Sequence, residues 1–471
     1  MPDVVTVDPA TGETLASYPA ADLPAVLDVL GAVHAAQPAW AARPVAERAE
    51  LIRAIGAQLR EQAGELDGLM TAEMGKPIGE ARAEVEKSAT ACDYYAEHGP
   101  GFLAERIVDT GPAQRSWIAH EPLGVVLAVM PWNFPFWQVL RFAAPTLLAG
   151  NTAVLKHSPN VTGCALAIEQ VFGKAGLPDG VFRSIVVAED DVPEVSRGLI
   201  EDDRVAAVSL TGSERAGAAV AAAAGRVIKK SLLELGGSDP FVVLADADVA
   251  LAVAGAVRSR FLNSGQSCLA AKRFVVHSAV AEEFTRAFAD AVRGLRVGDP
   301  RDEATVVGPL ARRDLRDALE RQVRDSVAAG ARVLAGGASL AGPGAFFAPT
   351  VVASVTPDMP VLAEETFGPV AAVVVVADDD EAVRLANDTR YGLGASVWSA
   401  DPEHALAVGR RITSGALFVN AVVASDPRLP FGGTKRSGYG RELGEAGALE
   451  FTNPRTYVVG SGGVPAGPAS E

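Results

Sequence analysis

From Leu123 onward the chain alternates short apolar runs with helix-patterned segments, and that alternation leaves little choice of architecture. GVVLAVM (124–130) reads as a buried strand, 136–149 as a helix, TAVLK (152–156) as a strand and 161–175 as a helix. VFRSIVV (181–187) is a strand, 192–200 a helix and RVAAVSL (204–210) a strand, followed by an Ala-rich helix from 213 and a strand over GRVIKKSLLE (225–234). Short strands without polar alternation, each followed by a helix, imply a parallel sheet covered on both faces. Ligands of such sheets bind beyond the carboxyl ends of the strands. A second α/β run starts near Pro240: FVVL (241–244), a helix from 247 to about 263, RFVV (273–276), a helix from 279, VAAVVVV (370–376) and ASVWS (395–399). Ahead of both, residues 22–120 are mainly helical, with a short strand from Trp117 to His120.

A length of 471 residues is too great for one core and agrees with two α/β units. A net charge of −16, spread along the chain, disfavours nucleic acid and anionic membranes as partners. Three irregularly spaced cysteines argue against a disulfide framework and for a reducing compartment. MPDVVTVDPATGE lacks the basic and apolar segments of a signal peptide, and no apolar run is long enough to span a bilayer. A soluble cytoplasmic protein is expected. The six histidines form no close pairs, and HExxH, CxxC and GxGxxG are absent, so no metal site is expected. GSGGVPAGPASE, at residues 460–471, has the composition of a disordered tail.

Four places carry chemistry. Cys268 lies in FLNSGQSCLA, a polar turn of small residues, where it is either a reachable nucleophile or a small packed side chain. Asn133, in MPWNFPFW directly after the first strand of the alternating region, is either a turn residue or one donor of an oxyanion hole. Glu234 ends an apolar strand before Gly236-Gly237 and is either an ordinary strand-end acid or a general base with a raised pKa. In SLTGSERAG, Gly212 and Ser213 open a helix, which suits a pyrophosphate or is plain capping.

Taken together, the motifs PWNFP (131–135), SLTGS (209–213), LELGG (233–237), SGQSC (264–268), EETFGPV (364–370) and PFGG (430–433) resemble the aldehyde dehydrogenase superfamily over essentially the whole chain. NSGQSCLAAKRF and ASDPRLPFGGTKRSGYGRE are similar to bacterial succinate-semialdehyde dehydrogenases. The resemblance implies a Rossmann-type dinucleotide-binding domain (1–104 and 123–234), an α/β catalytic domain (235–436) and a small β oligomerisation arm (105–122 and 450–460) that pairs subunits into a homodimer or homotetramer. It also implies that Cys268 attacks an aldehyde, that Asn133 and the Cys268 N–H hold the oxyanion, and that Glu234 activates the water that resolves a thioester. By the same resemblance Lys156 contacts the adenosine ribose, Gly212 and Ser213 lie at the pyrophosphate, and Glu365 binds the nicotinamide ribose beside Phe367. Pro131 and Trp132 then line the cofactor channel.

For the substrate, Trp137 and Arg141 share a helix face, and apolar neighbours leave Arg141 in need of an anion. Arg141 matches a carboxylate-binding position of the succinate-semialdehyde dehydrogenases, its alternative being a structural salt bridge, and Ser425 and Arg428 are further anchors. A second substrate arginine of some relatives is replaced here by Leu262, so glutarate semialdehyde and neutral aldehydes stay open as substrates. Ala270 excludes a CxC redox pair. No acid follows Lys156, so NADP is permitted as well as NAD, with Lys156, His157 and Ser158 as candidate phosphate contacts. A CoA-acylating enzyme and a non-catalytic protein of the same fold are the rival readings.

Overall fold

The computed structural model describes residues 3–112 and 114–460. The expected tail at 461–471 lies outside the described residues. Two mixed sheets dominate. In the first, the strand order is Gly438–Tyr439, Lys230–Glu234, Val205–Thr211, Val125–Met130, Thr152–His157 and Phe182–Ile185. All neighbours are parallel except the first pair, in which Gly438–Tyr439 runs antiparallel to Lys230–Glu234. The three central strands are almost wholly buried, as the unbroken apolar runs require.

The second sheet has seven strands: Arg332–Ala335, Thr350–Ala353, Val370–Val376, Ala271–His277, Asp239–Val243, Gly394–Trp398 and Ala416–Val419. It is parallel apart from the antiparallel edge pair of Arg332–Ala335 with Thr350–Ala353. A third, three-stranded sheet joins Thr452–Gly460, Gln114–Pro122 and Arg106–Val108. Its strands lie within the segments 105–122 and 450–460, and Gln114–Pro122 is longer than the short strand expected from Trp117 to His120. A two-stranded hairpin, Val4–Val7 with Thr14–Tyr18, was not evident in the sequence.

One strand is shorter than expected. The segment 225–234 is strand only over Lys230–Glu234. Helix-favouring alanines carry the preceding helix Glu214–Arg226 through Arg226, and a turn follows in which Ile228 takes a positive φ of 56° and is 94% exposed. Lys229 ties that turn down by donating to the carbonyls of Ile200 and Asp202.

The helical layer over the first sheet includes Val45–Glu61 and the long helix Ile78–Phe102, which packs on both Val45–Glu61 and Trp137–Leu148. Its buried face, including Ala81, Val85, Ala89 and Tyr95, recurs at helical spacing. The same helix carries Glu80, Glu84 and Lys87 toward the ends of the sheet strands. Among the described residues, no helix is long and apolar enough to cross a membrane.

Candidate active site

The turn after the strand Val125–Met130 is fixed from beneath. Glu84 Oε1 accepts the N–H groups of Phe136 (2.9 Å) and Trp137 (3.0 Å), satisfying the first amides of the helix Trp137–Leu148. Lys76 pairs with Glu84 in the interior and lies 3.8 Å from the centre of the Phe134 ring. The Asn133 side chain is thereby held in place: Nδ2 donates to the Gln266 carbonyl (3.0 Å) and Oδ1 accepts from Gln138 Nε2 (2.9 Å). One of the two Asn133 amide hydrogens remains for a ligand.

The nucleophile loop is strained and heavily braced. Asn263, Ser264 and Gly265 follow one another with φ of 54°, 54° and 74°, a left-handed run that costs roughly 1–2 kcal/mol at each non-glycine residue. At Gly265 a Cβ would stand 2.4 Å from the Gly368 carbonyl, so no other residue fits. Glu80 accepts the Asn263 N–H (2.6 Å), and Asn263 Nδ2 donates to the Asn133 carbonyl (2.8 Å), joining the loop to the PWNFP turn. Two buried cations gather the carbonyls. Arg260 donates to Gly265, Gly368 and Ala271, and Lys272 Nζ donates to Ser267 (3.0 Å), Cys268 (2.9 Å) and Ala270 (3.3 Å). Among the described residues, the Cys268 N–H has no acceptor.

Cys268 is half-buried. Burial pushes its thiol up to about 11; Arg141 and Lys272 pull it down, and Glu234 and Glu365 push it further up. Glu234 ends the strand Lys230–Glu234 with its carboxyl in the interior. Burial holds its pKa well above the ordinary range, Glu442 raises it further, and Arg141 and Arg441 oppose the rise. Glu234 Oε1 has no hydrogen-bond partner among the described residues. The PFGG turn packs directly on it, since a Cβ on Gly432 would meet Glu234 Oε1 at 2.7 Å.

Two cavities meet at Cys268. The larger, about 550 Å³, is lined by Phe134, Trp137, Gln138, Arg141, Leu262, Ser425 and others. The smaller, about 250 Å³, is lined by Pro131, Trp132, Asn133, Gly212, Ser213, Gly236, Glu365, Phe367 and neighbours. Only Gln138 and Cys268 belong to both. The smaller cavity gathers the residues that the motifs assign to the pyrophosphate and nicotinamide end of a cofactor. Ser213 caps the helix Glu214–Arg226, whose first amides lack intrahelical acceptors. A Cβ on Gly236 would lie 2.4 Å from Glu365 Oε2 and displace that carboxylate. Glu365 is set by the Gly237 N–H (3.0 Å) and by Lys272 at 3.6 Å, and Phe367 meets Trp132 edge-to-face. The Gly212 N–H is already given to the Glu234 carbonyl (2.9 Å), so Gly212 offers close approach rather than a donor.

Two expected ligand contacts, His157 and Arg428, need correction. His157 is neutral and fully engaged: Nε2 donates to the Pro135 carbonyl (3.0 Å) and Nδ1 accepts the Ser158 N–H (2.9 Å). Burial depresses its pKa to about 4, so it braces the PWNFP turn and has no donor left for a phosphate. Arg428 is exposed, turned onto Asp426, and does not line the larger cavity. Arg141 lines that cavity and also has an anionic neighbour within the protein. It is paired with Glu442, donates to Thr211 Oγ1 (3.1 Å) and lies under the Phe431 ring. Lys156 is buried, its pKa lowered by burial to about 8 and raised in part by Glu189. Glu189 follows the neighbouring strand, so an acid stands near Lys156 in space although none follows it in sequence. The Ser158 hydroxyl donates to Asn160 Oδ1 (2.7 Å).

Comparison with known proteins decides the family, because the aldehyde dehydrogenase family pattern matches residues 2–457. The chain belongs to the aldehyde dehydrogenase family. Among its relatives, the succinate semialdehyde dehydrogenase [NAD(P)+] Sad of Escherichia coli is 48% identical over 454 residues, covering 96% of this chain and 97% of the relative. A probable succinate-semialdehyde dehydrogenase [NADP(+)] of Synechocystis is 47% identical, covering 97% of this chain and 99% of its own length. Among solved structures, the succinic semialdehyde dehydrogenase of Streptococcus pyogenes in complex with NADP+ superposes with a TM-score of 0.93 at 36% identity, over 97% of this chain and all of that one. The aldehyde dehydrogenase fold is therefore that of the described residues.

Residues missed in the sequence are those that act from a distance along the chain. Glu80, Glu84 and Lys87 come from one helix of the N-terminal region, and Glu442 from beyond the PFGG turn. Only Arg260 and Lys272 carried a signal, as cations flanking the SGQSC motif within an apolar setting.

Proposed function

We propose that this enzyme oxidises succinate semialdehyde to succinate with NADP or NAD, through a thioester on Cys268. The observation that carries the chemistry is that Cys268 stands on the wall common to two cavities, one lined by Trp132, Gly212, Ser213, Glu365 and Phe367 and the other by Trp137, Arg141 and Ser425. The substrate class is supported by relatives at 45–48% identity over nearly the full chain.

In this reading the aldehyde carbon meets the Cys268 sulfur. The remaining Asn133 amide hydrogen and the Cys268 N–H converge on the developing oxyanion. A bound oxidised nicotinamide would supply the hydride acceptor beside Cys268. Glu234 takes the proton of the hydrolytic water, its raised pKa suiting a base near neutral pH. Its carboxyl lines neither cavity in this structure, so it acts after turning from Gly432 toward Cys268. Glu365 and Phe367 hold the nicotinamide end, Ser213 the pyrophosphate, and Lys156 and Ser158 the adenosine end.

Residues 1–104 and 123–234 serve the dinucleotide and 235–436 catalysis. The arm at 105–122 and 450–460 pairs subunits, which its exposed Ile107, Val458 and Val459 favour. Initial rates with succinate semialdehyde, glutarate semialdehyde and butanal, each with NAD and NADP and with and without CoA, test the reading. The expected result is the highest kcat/KM for succinate semialdehyde, independent of CoA. A higher value for butanal overturns the substrate, and CoA dependence overturns hydrolysis by Glu234.

A further inference from the structure

Three motifs meet at the amino ends of the second sheet. The strands Val370–Val376, Ala271–His277 and Asp239–Val243 are neighbours and run parallel. EETFGPV, SGQSC and LELGG lead into them, which sets the segments carrying Glu365, Cys268 and Gly237 side by side. Lys272, the second residue of the middle strand, is fully buried among them. Its three N–H groups go to the carbonyls of Ser267, Cys268 and Ala270, which saturates an ammonium. Carbonyls carry only partial charge, so a buried cation still calls for an acid. Among the described residues, Glu365 is the one carboxylate within ion-pair distance, its Oε1 at 3.6 Å. Asp239 and Arg260 also face Lys272, the first favouring its charge and the second opposing it. Glu365 is held through that one oxygen. Oε1 accepts the Gly237 N–H (3.0 Å) and faces Lys272, whereas Oε2 has no donor among the described residues and lies beside Gly236 on the wall of the smaller cavity.

We propose that Lys272 is a positioning residue that ties the carboxylate of Glu365 to the carbonyl of Cys268, so that one buried cation fixes the cofactor end of the site relative to the sulfur. This role rests on the proposed contact of Glu365 with the nicotinamide ribose and deepens it. With Oε1 fixed from behind by Lys272 and the Gly237 N–H, Oε2 is left to accept a ribose hydroxyl. The same ammonium holds the Cys268 carbonyl at 2.9 Å, so a shift of Glu365 against the nucleophile loop would break one of its contacts. Reactions of this kind lose about 10²-fold for a misplacement of about 1 Å, which is what such a tie prevents. Lys272 and Glu365 also act on the sulfur with opposite sign: Lys272 pulls the Cys268 thiol down and Glu365 pushes it up. A neutral donor at position 272 could serve the carbonyls but would leave Glu365 without its cation.

A double-mutant cycle of Lys272→Gln, Glu365→Gln and the double variant against the wild type tests this role. Two quantities are read, neither of them turnover. One is the dissociation constant of NADP+ and of NAD+, followed by quenching of tryptophan fluorescence, since Trp132 lines the smaller cavity. The other is the rate of Cys268 alkylation by iodoacetamide at a fixed pH without cofactor. Lys272→Gln should weaken both dinucleotides about 10-fold, a usual size for coupled sites, because the nicotinamide ribose is common to them. The double variant should bind no more weakly than Glu365→Gln, because Lys272 reaches the cofactor through Glu365. Alkylation should slow about three- to tenfold in Lys272→Gln, where the thiolate loses a nearby cation, and quicken in Glu365→Gln. Loss of a side chain that only supported the loop would loosen it and speed alkylation. Faster alkylation in Lys272→Gln, or losses of affinity that add in the double variant, overturns the assignment. If Glu365→Gln binds both dinucleotides as the wild type does, the cofactor reading fails and this role with it. If Glu365→Gln weakens binding and Lys272→Gln does not, the role of Lys272 fails alone. Should Lys272→Gln not fold, Lys272→Met is read in the same way.

Discussion

Arg141 and Glu442 form an ion pair that is sealed from solvent, at 3% and 4% side-chain exposure, immediately behind Glu234. Burial raises the Glu442 pKa, and Arg141 is the group that opposes the rise. Removing one partner of such a pair leaves a buried unmatched charge and costs about 3–5 kcal/mol. Arg141→Leu should therefore lower thermal stability strongly. It should also depress turnover of succinate semialdehyde and of butanal by similar factors, because an unpaired Glu442 raises the Glu234 pKa still further. A loss confined to succinate semialdehyde would return Arg141 to the role of substrate anchor.

Asn133 is held at both ends of its amide, by Gln266 and Gln138. Asn133→Ala removes one oxyanion donor while leaving Cys268 and its loop in place, so kcat should fall about 10²- to 10³-fold. Cys268 should keep its wild-type rate of alkylation by iodoacetamide. A parallel drop in alkylation would mean that Asn133 merely supports the loop.

The pattern of strands and the motifs at their carboxyl ends was legible because both are local. VAAVVVV is a strand over its full expected length, and Cys268, Asn133 and Gly236 fall where the motifs suggested. What was not legible depends on pairing across the fold. His157 follows Lys156 and looks like a phosphate contact, but only the structure shows the Pro135 carbonyl and the Ser158 amide taking both ring nitrogens. Arg141 in an apolar helix announces that it needs an anion without saying whether the anion is a ligand or Glu442. Lys87 gives no sign that it lines the larger cavity, because a lysine on a charged helix is ordinarily solvated and the other walls come from segments far along the chain, Phe134 to Arg141 and Ala254 to Ser425.

The position of Glu189 bears on cofactor choice. Its charge partly restores the Lys156 pKa, so the two sense each other at the adenosine end. A negative group there opposes a 2′-phosphate. Glu189→Gln should raise the kcat/KM ratio of NADP to NAD about two- to fivefold, the effect of one exposed charge, and the gain should shrink in high salt. An unchanged ratio would place Glu189 away from the 2′ position.

Stability should fall as pH rises from about 4 to about 7. Burial pushes Asp239 up to about 7, with Lys272 and the Gly394 N–H opposing, and burial likewise pushes Glu80 up to about 7 against Lys76. In the unfolded chain both lose their protons near pH 4. Between these limits the folded state holds protons that the unfolded state has released. Stability from these two groups is therefore complete below about pH 4 and lost as pH climbs through the folded values. Asp239→Asn keeps an acceptor for the Gly394 N–H, which Asp239 Oδ1 now takes at 3.0 Å, and removes the titration. The decline in melting temperature from pH 5 to pH 8 should then be shallower, with Glu80 and the other carboxyls that burial raises, Glu73, Glu234 and Glu442, supplying the rest. A variant with the wild-type slope would show that Asp239 is ionised throughout, held so by Lys272 and Arg273.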